Sequence, residues 1–223
     1  MTRALEAQLF RLAGVLALAA VALTVWVAVH GVPMPADVRI ARAVQARGSF
    51  QRTADFINTA GSWNFVPFLA AGAIVLLGGG LRRLRWRAPR ERREALYGFL
   101  AAIGVRYFDQ LLKFLLESPR PTAAWGVRVD EIRDSYGFPS GHVYGDVVFY
   151  GVMAVYAAVY LPARLVMPAR AVLLAVILLA GPARIFVGAH WPSDTAGGYL
   201  WGAAALCLAV GYGTWAGRAT AGR

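Results

Sequence analysis

The chain is poor in most of what a soluble protein needs. It has one cysteine, Cys207, set inside an apolar run, so no disulfide framework within the chain is available to it. It has one lysine, Lys113, among 23 basic residues, and three histidines. Charged residues make up only 16% of its 223 residues. It contains no internal repeat and no low-complexity tract. The net charge of +11 would suit a nucleic-acid binder, but the arginines lie mostly between long apolar runs and not on a continuous basic face, which excludes that class.

What fills the chain instead is hydrocarbon. Hydrophobic residues reach 58%, with a mean hydropathy of +0.51, against about 45–50% apolar residues in ordinary globular chains. A spanning helix takes about 20 mostly apolar residues. Six segments fit: Ala7–Val29, Ser62–Leu81, Ala95–Leu116, Val143–Leu161, Ala171–Ala189 and Thr195–Ala216. No small-residue cleavage site follows the first, so it reads as a retained span and not a signal peptide. The expectation is an all-α integral membrane protein, a six-transmembrane-helix bundle forming a single domain over residues 1–223.

Arginine placement sets the direction. The link "RRLRWRAPRERRE", Arg82–Glu94, holds seven Arg against two Glu and should be cytoplasmic. Both termini then fall on the cytoplasmic side, in keeping with Arg3, Arg11, Arg218 and Arg223, as does the link carrying Arg164 and Arg170. Gly31–Gly61, Glu117–His142 and His190–Asp194 face outward. Gly31–Gly61 carries four Arg of its own, so the bias is imperfect. Within it, Asp37–Arg47 reads as a short interfacial helix, with Ile40 and Val44 on one side, Arg39 and Arg42 on another, and Gly48 as a stop.

The third span carries charge. Arg106, Asp109, Lys113, Glu117 and Arg120 are spaced 3, 4, 4 and 3 apart, which is one face of a helix if the helix persists that far. Charges at membrane depth are costly and turn toward a bundle interior or wet cavity. Arg106 and Asp109 read as an internal ion pair. Lys113 and Arg120, nearer the outer end, read as functional.

The outer segments end at helix termini. "KFLLESPRP" closes span three, "PSGH" opens span four, and "RIFVGAHWPSD" joins spans five and six. The topology therefore gathers Lys113, Arg120, Ser140, Gly141, His142, Arg184, His190 and Asp194 at one membrane face. Guanidinium forks and an ammonium suit phosphate oxygens. The N–H groups of Ser140, Gly141 and His142 open a helix, a ready anion site that Gly141 would let an anion approach closely. A metal site on His142, His190, Asp194 and Asp146 is disfavoured by three nearby cations. Ser140 lacks the flanking pattern of a nucleophile elbow and reads as a phosphate contact. His30, at the end of span one, reads as an interfacial residue.

Lys113-x6-Arg120-Pro121, then Pro139-Ser140-Gly141-His142, then Arg184-x5-His190-x3-Asp194 resembles the three-part signature of the type 2 phosphatidic acid phosphatase superfamily. Two positions depart from it. Ala183 stands where the family often has Ser, and Val143 follows the PSGH histidine where a small residue is common. The missing hydroxyl at 183 bears on substrate preference more than on activity. The resemblance implies that His190 attacks phosphorus, Asp194 holds its tautomer, and His142 serves as acid and then base. Lys113, Arg120, Arg184 and the Ser140–Gly141 backbone would hold the phosphate, with no metal or other cofactor. It implies a lipid phosphate substrate: a polyprenyl diphosphate first, or phosphatidic acid, phosphatidylglycerol phosphate or a phosphorylated glycolipid. The site would lie on the extracytoplasmic side of the inner (plasma) membrane, with membrane lipids as surroundings and no nucleic acid as partner. A headgroup or phosphoryl transferase of the same fold, and a non-turning-over binder or transporter, are the alternatives. Vanadate haloperoxidases share the residue set, but known ones are soluble. Arg184 and His190, six apart, would point about 120° apart on a regular helix, so a bend near Gly188 or a long reach by Arg184 is expected. The Thr122–Phe138 loop, between two motifs, is the expected specificity element.

Overall fold

A computed structural model describes residues 3–77, 89–131 and 134–220. Nine α-helices follow one another among them: α1 (Arg3–His30), α2 (Asp37–Gln45), α3 (Gln51–Ser62), α4 (Phe65–Leu77), α5 (Pro89–Val105), α6 (Phe108–Leu116), α7 (Gly141–Tyr160), α8 (Ala163–Phe186) and α9 (Pro192–Ala219). There is no β-strand among the described residues. Most of the arginine-rich link, residues 82–88, lies outside them, as do Arg133 and Arg223.

α7 forms the centre. Nearly every residue from Val143 to Ala154 is buried, and the helix is touched by α4, α5, α8 and α9. α9 packs against α1 and α5 on its other sides, and α8 closes on α3. The outer helices show their apolar side chains outward: Val15, Leu18 and Val29 on α1 and Leu178 on α8 are all exposed. In water that surface would be a liability. In a bilayer it is the expected coat, and the protein is a multi-pass membrane protein.

Four helices are long and apolar enough to cross: α1, α7, α8 and α9. A fifth crossing exists if residues Gly48–Ser62 and Phe65–Leu77 count as one bent span; they meet at 50° around Trp63–Asn64. The expected span Ser62–Leu81 is therefore α4 with a polar helix, α3, feeding it. The expected span Ala95–Leu116 is divided into α5 and α6 at Arg106–Tyr107. α6 ends at Leu116, where Glu117 takes a left-handed conformation with φ +48°. The five charged positions consequently do not share one continuous helical face: Arg106 sits in the break and Arg120 beyond the end.

α8 begins at Ala163, eight residues before the expected span, and carries Pro168 in its opening turns. Arg164 and Arg170 belong to that helix and not to a loop. Arg170 Nε donates to the Ala154 carbonyl on α7 at 2.9 Å, away from any apolar stripe.

The interfacial helix is present as α2, but its buried positions are Asp37 and Ala41; Ile40 is exposed and Val44 half-buried. It packs on α8 and α9. Arg42 donates to the Trp125 and Gly126 carbonyls, and Gln45 to the Arg128 and Ile185 carbonyls. α2 thus straps the loop before α7 onto the helices that carry the histidine.

Candidate active site

α8 stops at Phe186. Gly188 turns the chain with φ +67°, and a Cβ there would collide with the Arg128 carbonyl oxygen. This is the unwinding that the Arg184–His190 spacing called for. Arg184 stays on the last turn of α8 and His190 is delivered on the link that follows.

Trp191 then caps α9, and Asp194 occupies the third position of its first turn. Asp194 Oδ2 accepts the Trp191 N–H at 3.0 Å and faces His190 Nδ1 at 3.2 Å. A carboxylate so engaged accepts, so Nδ1 carries the hydrogen. On the other side of the ring, Arg120 Nη1 lies 3.1 Å from Nε2. A guanidinium only donates, so Nε2 is the bare nitrogen. Both neighbours select one tautomer, with its lone pair turned toward the cations. Burial, first, and then Arg120, Lys113, Arg184 and His142 push the His190 pKa well below its ordinary 6.5.

That shift has a sign. The unfolded chain binds the His190 proton below about pH 6.5 and the native one does not, so stability is lost as pH falls through that value. The slope is at most about 1.4 kcal/mol per pH unit. Thermal unfolding in detergent from pH 8 to pH 5 should show a falling midpoint, and His190→Gln should flatten the fall.

Lys113, on the last turn of α6, donates to the Tyr136 and Gly137 carbonyls at 2.9 and 3.2 Å. Arg120 also donates to the Ser135 and Ala189 carbonyls at 2.6 Å each. Both cations thereby gather the end of the 117–140 segment beside the histidine. Arg184, 2% exposed, pairs with Glu131 at 2.8 Å and approaches Asn58 Oδ1 at 3.3 Å. Glu131 belongs to the Thr122–Phe138 loop, so that loop reaches one of the clustered cations. Arg128 pairs with Asp130 at 2.9 Å and lies over the Phe186 ring.

Ser140 is the N-cap of α7 and is fully buried. Its N–H is committed to the Asp194 carbonyl at 2.9 Å. The expected backbone cradle therefore loses one of its three N–H groups and leaves those of Gly141 and His142. The Ser140 hydroxyl is buried with no hydrogen-bond partner in the protein. The close neighbour of Gly141 is the Asp109 carboxylate; a Cβ at Gly141 would lie 2.5 Å from it.

His142 Nε2 lies 3.2 Å from Ser62 Oγ. Ser62 donates its one hydrogen to the Asn58 carbonyl at 2.9 Å, so Oγ accepts and His142 Nε2 carries the proton. The two histidines therefore present complementary atoms: a lone pair on His190 and an N–H on His142.

All eight residues singled out from the sequence come together at one end of α6, α7 and the α8–α9 link. Several partners escaped that reading. Asn58 and Ser62, four apart at the end of α3, touch Arg184 and His142; only their helical spacing signals them. Asp37 accepts from Ser193 N and Oγ at 2.9 and 2.7 Å across 156 residues. No local pattern announces it. Asp146, weighed from the sequence only as a metal ligand, sits one turn past His142 and accepts from Asn64 at 2.8 Å.

The helices of this multi-pass membrane protein thus gather two histidines, an aspartate and a cluster of cations at one place. The PAP2 superfamily model matches residues 94–218, more than half of the chain, and the chain belongs to that superfamily. No curated protein sequence matches it. Among solved structures it is similar to the first transmembrane PAP2 type phosphatidylglycerolphosphate phosphatase from Bacillus subtilis, with a TM-score of 0.69 over 88% of this chain and 93% of that one. The two are 20% identical, so the likeness establishes a shared fold.

Proposed function

We propose that the protein is a metal-independent phosphatase of lipid phosphates or diphosphates that works through a phosphohistidine. The observation that carries this reading is His190, buried, neutral and clamped in one tautomer between Asp194 and Arg120.

The chemistry follows from the atoms. Nε2 of His190 attacks phosphorus and the P–O bond to the lipid breaks. His142, starting as imidazolium, gives its Nε2 proton to the departing oxygen and is left a neutral imidazole. Asp194 steadies the imidazolium character that grows on His190, as the acid does in a hydrolase triad. Lys113, Arg120 and Arg184, with Ser140 and the Gly141 N–H, hold the equatorial oxygens. Arg120 exchanges its bond to Nε2 for one to phosphate as substrate arrives. Water, deprotonated by His142, then cleaves the P–N bond, and His190 regains its lone pair.

On this reading the site lies at the extracytoplasmic face of the plasma membrane, and α5 and α6 together make the third of six passes. The substrate is a membrane lipid carrying a terminal phosphate. Detergent-purified protein in EDTA should release phosphate from at least one lipid in a panel of polyprenyl diphosphate, phosphatidic acid and phosphatidylglycerol phosphate. Folded protein that releases none would overturn the hydrolase and favour a transferase or a binder.

A further inference from the structure

Two interruptions of helix meet at one place. α3 gives way to α4 at Trp63–Asn64, and α5 to α6 at Arg106–Tyr107. Inside a bilayer, irregular backbone persists where protein covers it or where it lines a cavity. Both breaks border one cavity of about 360 Å³, lined by Ser62, Asn64, Arg106 and His142 with the aromatic rings of Phe65, Phe68 and Phe149.

The cavity lies on a particular side of the chemistry. In an in-line displacement the leaving oxygen departs opposite the nucleophile, and His142 is the group placed to protonate it. Whatever the terminal phosphoryl is bonded to must therefore occupy the space beside His142. Lys113, Arg120 and Arg184 bear on His190. Arg106 is a fourth cation, set apart from them.

Arg106 is held close under His142. Its guanidinium lies against α7 at Gly145, where a Cβ would be 3.2 Å from Cζ and Nη2. Gly145 follows His142 by three residues, so it falls on the same side of α7, about 4.5 Å along the axis. A Cβ there would push the guanidinium back by a few tenths of an ångström. Arg106 Nη1 donates to Asp109 at 3.1 Å, one use of a fork with five N–H donors. An ion pair alone does not need a guanidinium on a cavity wall at membrane depth.

Resting on the phosphatase reading above, we infer that this cavity is the leaving-group subsite and that Arg106, with Asn64, binds the lipid-linked phosphate of a lipid diphosphate. A leaving alcohol would bring no charge to Arg106; a leaving phosphate does, and its hydrocarbon chain has the aromatic wall to lie on. The balance is simple. His190 Nε2 bonds to the terminal phosphorus. The bond from that phosphorus to the bridging oxygen breaks, its electron pair staying on oxygen. His142 supplies a proton, and a lipid monophosphate departs past Arg106. Water completes the cycle as before, and inorganic phosphate leaves.

The test is a ratio of affinities measured on the detergent-purified full chain. The probes are farnesyl methylenediphosphonate and farnesyl phosphonate, which share a chain and resist hydrolysis. Wild type should bind the diphosphonate at least about tenfold more tightly. The paired change Arg106→Gln with Asp109→Asn, which strands no buried carboxylate, should bring the ratio below about threefold. Arg106→Lys keeps the pair but not the fork and should lower the ratio as well, which covers the case of a paired variant that does not fold. No wild-type preference, or a ratio unmoved in the folded variants, overturns the subsite. Phosphate release is followed in parallel: a diphosphate preference without turnover keeps the subsite and removes the phosphatase, whereas turnover without preference does the reverse.

Discussion

His190→Ala is expected to slow phosphate release by at least about 100-fold, the scale on which loss of a nucleophile or a transition-state contact is felt. On the proposed mechanism the substitution removes the nitrogen that forms the P–N bond, while Lys113, Arg120 and Arg184 stay. Substrate affinity should therefore change far less than turnover. Brief exposure of wild type to ³²P-labelled lipid phosphate, followed by alkaline denaturation, should leave an acid-labile label on the protein, and the alanine variant should carry none. Near-wild-type turnover in that variant would remove the mechanism altogether.

His142 makes a different kind of prediction, because it is asked to act twice. With an alkyl lipid phosphate, His142→Gln should lose about 10²- to 10⁴-fold, the usual range for a general acid or base. With an aryl phosphate the leaving group needs no proton, so the first step recovers. The second step still needs a base for water. The variant should then produce a burst of aryl alcohol and accumulate phosphorylated His190. Equal slowing with both leaving groups and no accumulation would assign His142 to binding and not to proton transfer. The bond that His142 Nε2 donates to Ser62 Oγ sharpens this expectation, since it holds the ring with a proton on that nitrogen before substrate arrives.

How much of this was legible beforehand differs from element to element. α7 and α9 lie within three residues of their expected ends, because their apolar runs end where their helices end. α8 does not: hydropathy marks where the hydrocarbon stops, and the backbone winds on through Arg164, Pro168 and Arg170. The bend before α4 was invisible for a related reason. Gln51–Ser62 is polar and offers no apolar run, although Ala54, Ile57 and Gly61 form its buried side. The charged stripe through Arg106 was legible as a list of residues but not as a surface, since spacing alone does not report that the helix breaks at its first member. The eight residues that the structure brings together were each marked in the sequence by short-range motifs at helix ends. The contacts that set their tautomers and hold them in place, from Asn58, Ser62 and Asp37, come from segments more than 75 residues away in the chain and leave no local trace.

The bond between Asp37 and Ser193 also says something about time. The link that carries His190 runs into α9, whose first turn is tied to α2, 156 residues earlier in the chain. Domains are built from the N-terminus as the chain is synthesised, so the motif around Lys113 and the PSGH turn are in the membrane before α9 exists. Until that helix arrives, Ser140 has no Asp194 carbonyl to bond and the histidine has no carboxylate to orient it. On the proposed mechanism, a chain that has not yet made α9 lacks both contacts, so its histidine becomes competent only once that helix has joined the bundle.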